Sequence, residues 1–293
     1  MHELPSLKEM RAWSRAERAR ERRVGFVPTM GFLHEGHLRL VDRAKERADR
    51  VVVSIFVNPL QFGPAEDLAQ YPRDLERDRQ LAGERGVDCL FVPDTAAMYP
   101  AEPLVRVSPG PMADPLEGAA RPGHFAGVLT VIAKLFHIVE PDIAVVGRKD
   151  FQQAMLVRRL AADLDFGLEI DVAPTVRELD GLALSSRNAY LKGDDRRAAL
   201  ALSRALRAVE QAWRGGEADP RALERRGLDV LAAPGVTPEY LALVDAQLHP
   251  VARVDAKTIV VVAARVGGTR LIDNVILGEG IANDVSVRTA GKD

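Results

Sequence analysis

The sequence predicts an α/β protein: a parallel sheet flanked by helices over residues 1–175, then a smaller α+β domain over 176–293. Three observations lead there. Short β-branched or apolar runs alternate with stretches whose apolar positions recur at helical spacing. The runs themselves, VVVSIFV (51–57) above all, are apolar on consecutive positions, as strands covered on both faces are. Beyond about Val176 the texture changes, with helix patterns first and adjacent strand patterns afterwards.

Taken in order, residues 6–22 read as a polar, Arg-rich helix and VGFVPT (24–29) as a strand broken by Pro28 and Gly31. Leu38, Leu40, Val41, Ala44 and Ala48 give the next stretch a helical stripe, and VVVSIFV follows as a strand. NPLQFGPAEDLAQYPR (58–73), with three prolines and a glycine, reads as a loop and a candidate lid. A helix (74–85) and the strand CLFVP (89–93) come next. HFAGVLTVIAKLFHIVEP is a helix stopped by Pro141, DIAVVG (142–147) a buried strand, 150–164 a helix and LEIDVAP (168–174) a strand. Two helices ended by glycine and the strands EYLALVDAQL, KTIVVVAARV and TRLIDNVIL make up the second domain. Strand–helix–strand repeats of the first kind specify parallel pairing with helices on both faces.

Composition narrows the function. Forty basic residues against 42 acidic ones leave a net charge of −2, which argues against nucleic acid as the main partner. A single cysteine, Cys89, excludes an intramolecular disulfide and a cysteine-based structural zinc site. No apolar run approaches the roughly 20 residues of a membrane span, and the start lacks a secretory core, so a cytoplasmic protein without membrane partners is expected.

In an open parallel sheet, ligands gather where strands end and helices begin. The unusual motifs fall at such places. PTMGFLHEGH puts His34 and His37 at a strand-to-helix junction, with Gly31 and Gly36 beside them. HEGH is one residue short of the zinc-protease HExxH, so metal chelation is disfavoured. A helix N-terminus attracts anions, and imidazoles on its first turn can donate to a phosphate; two packed histidines are the plainer alternative. VVGRKDFQQ offers Lys149 as a point charge after a buried strand, with one of Gln152 and Gln153 expected to face the crevice. LALSSRNAYL offers Ser185, Ser186 and Arg187 as a phosphate-binding set, against the plainer reading of a Ser N-cap beside a surface arginine. No P-loop motif occurs.

Together PTMGFLHEGH, SIFVNPLQFGPAEDLAQYPR, RPGHFAGV, VVGRKDFQQ and LSSRNAYL closely resemble the pantothenate synthetase family, from about Val24 to Gly280. These are nucleotidyltransferases related to class I aminoacyl-tRNA synthetases, so the resemblance implies a Rossmann-like catalytic domain and a C-terminal domain closing over the ATP site. It implies condensation of pantoate with β-alanine through a pantoyl adenylate, with release of AMP and pyrophosphate. By motif matching, ATP would be held by Met30, Gly31, Phe32, Leu33, His34, Glu35, Gly36 and His37, by Gly147, Arg148, Lys149 and Asp150, and by Val176, Leu184, Ser185, Ser186 and Arg187. Gln61 and Gln153 would bind pantoate, Gln61 also β-alanine, and His37 is the family's catalytic position, with His34 and Lys149 as helpers. Magnesium and a homodimer are further implications. Arg148 stands where the family more often has Glu, which would add positive charge beside the triphosphate. A dinucleotide-forming transferase, an RNA-binding synthetase relative and a non-catalytic nucleotide-binding regulator are the competing readings.

Overall fold

The computed structural model describes residues 1–64, 66–281 and 285–287. Its residues divide into two compact units, Met1–Gly147 with Gln152–Ala173, and Arg148–Phe151 with Pro174 onward.

The first unit is built on strands β1 (His2–Leu4), β2 (Val24–Thr29), β3 (Arg50–Ile55), β4 (Cys89–Phe91), β5 (Ile143–Gly147) and β6 (Glu169–Ala173). They form one sheet in the order β1-β4-β3-β2-β5-β6, parallel at every pairing. Helices α1 (Leu7–Arg18), α2 (Glu35–Lys45), α3 (Leu75–Glu84), α4 (Thr95–Met98), α5 (Glu117–Ala120), α6 (His124–Val139) and α7 (Phe151–Asp163) connect them. Alternate strand residues enter different cores, as a period of two requires. Phe26 and Val52 pack with Met10 of α1 and with Leu129 and Phe136 of α6. Val27, Val51 and Val53 pack with Val41 and Ala44 of α2 and Ala82 of α3.

The chain winds outward from β2 to β3 and β4, then returns to lay β5 and β6 on the other side. The switch in direction falls between β2 and β5, where open α/β sheets place ligands. Their ladder joins only Gly25 to Ile143 and Phe26 to Ala144. It therefore stops short of Thr29 and Gly147, the two carboxyl ends.

In the second unit, α8 (Gly193–Ala198), α9 (Leu200–Arg214) and α10 (Pro220–Leu231) are followed by β8 (Val236–Val244), β9 (Ile259–Val266) and β10 (Thr269–Ile276). The strands pair antiparallel in the order β10-β9-β8. Leu202, Leu206 and Val209 of α9 and Leu223 of α10 share a core with Val260, Val262 and Val275. A two-stranded sheet joins β7 (Val176–Glu178) to β11 (Val285–Val287).

Several elements differ from the expectation, among them the short helices α4 and α5, the pair β7 and β11, and a second-unit helix that is divided into α8 and α9. The first helix stops at Arg18 because Glu21 turns into the left-handed region, at φ 58°. The N-terminal residues form an edge strand, β1, which three residues are too few to announce. The proline-rich stretch 58–73 contains a 3₁₀ turn, Pro59–Gln61, capped by Asn58, whose Oδ1 accepts the Leu60 N–H at 3.3 Å.

Candidate active site

The histidine loop is shaped from behind. After β2, Thr29 Oγ1 donates to the Ser54 carbonyl (2.7 Å) and accepts the Gly31 N–H (3.1 Å). Gly31 then adopts φ +80°, where a Cβ would stand 2.8 Å from Ile55 Cγ2 and 3.0 Å from Asp78 Oδ2. Phe32 is left-handed too, at φ 50°. Asp78 of α3, buried, accepts the Phe32 N–H on Oδ2 (2.7 Å) and the Leu33 N–H on Oδ1 (2.6 Å). Burial raises the Asp78 carboxyl above its ordinary range, and the two amides oppose that shift. Arg77 donates to the Leu33 carbonyl (2.8 Å) and lies 5.5 Å from the centre of the Phe32 ring.

His34 then caps α2 in an extended conformation, and His37 is the third residue of that helix. Their rings stack, with centroids 4.0 Å apart and planes 29° from parallel. The His34 N–H donates to His37 Nδ1 at 3.3 Å. Nδ1 is therefore an acceptor, and the proton of the neutral His37 ring belongs on Nε2. Glu35 sits between the two histidines but its carboxylate pairs with Arg85 (2.7 Å) and Arg39 (3.0 Å). Gly36 lies within the first turn of α2, and Leu33 is buried in the core beneath it.

Gln61 is held beside this loop. Its Nε2 lies 3.3 Å from Met30 Sδ and its Oε1 accepts from Asn58 Nδ2 (3.1 Å). Asn58 also donates to the Gly127 carbonyl (3.2 Å) and accepts from the Tyr99 hydroxyl (3.0 Å). The 3₁₀ turn lies so close to α6 that a Cβ on Gly127 would fall 2.1 Å from the Leu60 carbonyl oxygen. Arg121 grips Glu66 of the same stretch at 2.9 and 2.5 Å, and its third nitrogen meets His124 Nε2 at 2.9 Å. Since a guanidinium only donates, His124 Nε2 accepts and Nδ1–H donates to the Gln61 carbonyl (2.8 Å). Burial, helped by the Arg121 charge, lowers the His124 pKa to about 4. The proline-rich stretch is thus tied down at several points.

The two adjacent glutamines separate cleanly. Gln152 is buried; it accepts the Glu117 N–H (3.0 Å) and donates to the carbonyls of Pro115 (2.9 Å) and Met112 (3.2 Å). Gln153 is half-buried and has none of these bonds.

In the second unit, Arg148–Asp150 form a 3₁₀ turn. Asn274 Nδ2 donates to the carbonyls of both Arg148 and Lys149, at 2.9 Å each. Behind Asn274 stands a buried ion pair, Arg177 with Asp273, at 2.6 and 2.9 Å. Arg177 also donates to the Asn274 and Gly181 carbonyls (3.2 and 3.1 Å). Lys149 Nζ is 3.5 Å from Asp150 Oδ1. Lys149, Ala183, Ser185 and Asn188 line one hollow of this unit. Ser185 caps the 3₁₀ turn Ser186–Tyr190 by accepting the Arg187 N–H at 3.3 Å, which leaves its own O–H proton to donate. Val176 and Leu184 are buried against Val287.

Arg148 is buried and ion-paired with Glu279 within the second unit.

A family model, pantoate-beta-alanine ligase, matches residues 3–276. The chain belongs to that family. It is 51% identical over 276 residues to the pantothenate synthetase of Pelotomaculum thermopropionicum, covering 94% of this chain and 98% of the relative. Against the pantothenate synthetase of Deinococcus radiodurans the identity is 55% over 263 residues, 87% of this chain and 94% of the relative. The solved pantothenate synthetase of Thermus thermophilus superposes with a TM-score of 0.90 at 48% identity, over 94% of this chain and 99% of that one. The Francisella tularensis ligase, solved with β,γ-ATP and β-alanine, superposes with a TM-score of 0.80 at 34% identity, over 96% and 99%.

Within this ligase, three supporting residues carried no sequence signal strong enough to name them. Asn58 was within reach of a closer reading, because Asn before Pro commonly starts an Asx-type turn. Asp78 lies 45 residues from the loop it holds, and Asn274 more than a hundred from Lys149. Nothing local marks either.

Proposed function

We propose that the enzyme couples ATP cleavage to amide formation between pantoate and β-alanine in two steps, using His37 and Lys149 as donors to the transferring phosphate. The observation that carries this is the stacked histidine pair at the carboxyl end of β2, with His37 Nδ1 accepting the His34 N–H. Family membership supports the substrates.

Pantoate is ionised at neutral pH, so its carboxylate oxygen attacks the α-phosphorus without a general base. The new O–P bond forms as the bond to the β-phosphate oxygen breaks, and pyrophosphate leaves. Both partners are anionic, so the chemistry is positioning and charge stabilisation. His34, His37, Lys149, Ser185, Ser186 and Arg187 supply donors or positive charge for that purpose. Met30, Gly31, Gly147 and Asp150 complete the nucleotide set through their backbones. Phe32, Leu33, Glu35, Arg148, Val176 and Leu184 support it, since their side chains or amides are engaged elsewhere. Gln61 and Gln153 take pantoate, and Gln61 then meets β-alanine. The neutral amine of β-alanine attacks the acyl carbon, AMP departs on the carboxylate–phosphate oxygen, and the amine loses a proton.

Among the described residues no three His, Cys, Asp or Glu side chains gather to hold a metal ion. Magnesium is therefore read as entering on the nucleotide's phosphates, which suits its habit of sharing phosphate and water ligands. No described helix is long and apolar enough to cross a membrane. A cytoplasmic homodimer, with the C-terminal unit closing over ATP, is part of the proposal on family resemblance alone; the bonds that hold residues 58–66 speak against that part of 58–73 moving as a lid.

Mixing enzyme, ATP, pantoate and β-alanine, then omitting each acid in turn, tests the reading. AMP and pyrophosphate should appear together only in the full mixture over many turnovers. With β-alanine left out, one equivalent of pyrophosphate per site should appear as the adenylate forms. Retention of AMP in a nucleotide-linked product would point instead to a dinucleotide-forming transferase.

A further inference from the structure

Gly31 and Phe32 are consecutive left-handed residues, and that conformation turns the next two amides toward one point. Concave pairs of N–H groups of this kind commonly bind anions. Here the anion is part of the protein: the Asp78 carboxylate takes the Phe32 and Leu33 amides at 2.7 and 2.6 Å. A glycine is required at 31 because any Cβ would press on this carboxylate and on Ile55. Phe32 pays the left-handed cost that a non-glycine residue incurs, so something must hold it there. The next two residues after this turn are Leu33 and His34, and the His34 N–H in turn fixes His37.

We propose that Asp78 is a positioning residue for the reaction: by occupying the Phe32 and Leu33 amides it sets the loop that orients the His34–His37 pair. Two consequences follow. Those amides are engaged by the protein and are not offered to ATP, so phosphate recognition at this loop falls to the helix N-terminus and the rings. And the orientation of His37 is set by a residue of α3, an element that carries none of the nucleotide motifs. The assignment rests on reading His37 as a donor to the transferring phosphate.

Asp78→Asn tests it, since the side chain keeps its shape and one acceptor while losing its charge and turning an N–H donor toward one amide. The kcat for pantoate-dependent AMP formation should fall roughly ten-fold or more, as displacements of reacting groups do. The KM for ATP should change by less than about three-fold, because the interaction lost is realised in the transition state. The imidazole ¹⁵N signals of His37 should move from one tautomer, protonated at Nε2, toward a mixture. A folded variant with native kcat, or with reduced kcat but an unaltered His37 signature, overturns the proposal. His37→Ala, assayed alongside, keeps the two readings apart: native turnover there removes the histidine assignment itself. Where Asp78→Asn does not fold, amide exchange in the unaltered enzyme decides. Strong protection at Phe32 and Leu33 is expected, and exchange at the rate of an open loop overturns the proposal.

Discussion

The histidine loop of the first unit and the lysine turn of the second are held by opposite chemistry. At the histidine loop a buried carboxylate receives two successive backbone N–H groups. At the lysine turn a buried amide gives its two hydrogens to two successive carbonyls. Both segments lead from a strand into a helix, α2 and α7, and differ in which backbone groups meet their support. The first support is a carboxylate, with the Arg77 charge nearby. The second is neutral and leans on the Arg177–Asp273 ion pair. Each segment is thus fixed through its main chain, the first by a carboxylate and the second by a side-chain amide.

The largest effect expected falls on the second region. Asp273→Ala would take the Asp273 carboxylate away from the buried Arg177 guanidinium, and should cost about 3–5 kcal/mol of stability by chemical denaturation. A loss below about 1 kcal/mol would mean that the lysine turn does not depend on the ion pair.

Acid should strike the first region. His124 has a pKa of about 4 in the folded protein against 6.5 for an ordinary histidine. Between those values the unfolded chain binds a proton that the folded chain refuses, so stability rises with pH across this window. The contribution is full above pH 6.5 and lost as pH falls toward 4, about 3 kcal/mol in all. Urea midpoints measured from pH 4 to 7 should show it, and His124→Gln should flatten the slope.

Removing the reactive groups tests whether the two regions serve one step. His37→Ala and Lys149→Ala should each cut the rate of adenylate formation by roughly 10²-fold without unfolding the protein. Pre-steady-state pyrophosphate release is the readout. A variant that slows only the attack of β-alanine would separate the regions in function.

The mildest change is Asn274→Ala. It frees two carbonyls without touching substrate, and a fall in kcat of about ten-fold is expected. Asn274→Gln, which retains the donors on a longer arm, should recover part of the loss.

The strand and helix pattern was legible because the central strands of the first unit are covered on both faces, so Val51–Val53 and Ile143–Val146 read as apolar runs. β1 was not legible, since three residues at a sheet edge carry no period. The histidines, Lys149, the serines and the Gln152–Gln153 pair were picked out as candidates by residue type near strand ends, and Gln61 by resemblance. What separates Gln152 from Gln153 is packing, because the two are chemically identical until one meets the carbonyls of Met112 and Pro115. The Arg148 counter-ion was hidden for the same reason, since Glu279 lies 131 residues away. Asp78 and Asn274 act on backbone, and backbone partners leave no trace in residue type.

Lys149 belongs to the second unit although the residues before 148 and after 151 belong to the first. A fragment ending at Ala173 would therefore keep the lysine in its sequence and lose Asn274, Arg177 and Asp273 together. Cutting this ligase at its most inviting joint would yield a sheet that still looks native but whose cation has been orphaned. Dissection and circular permutation here must treat four residues set within the first unit's span, Arg148–Phe151, as the property of the second.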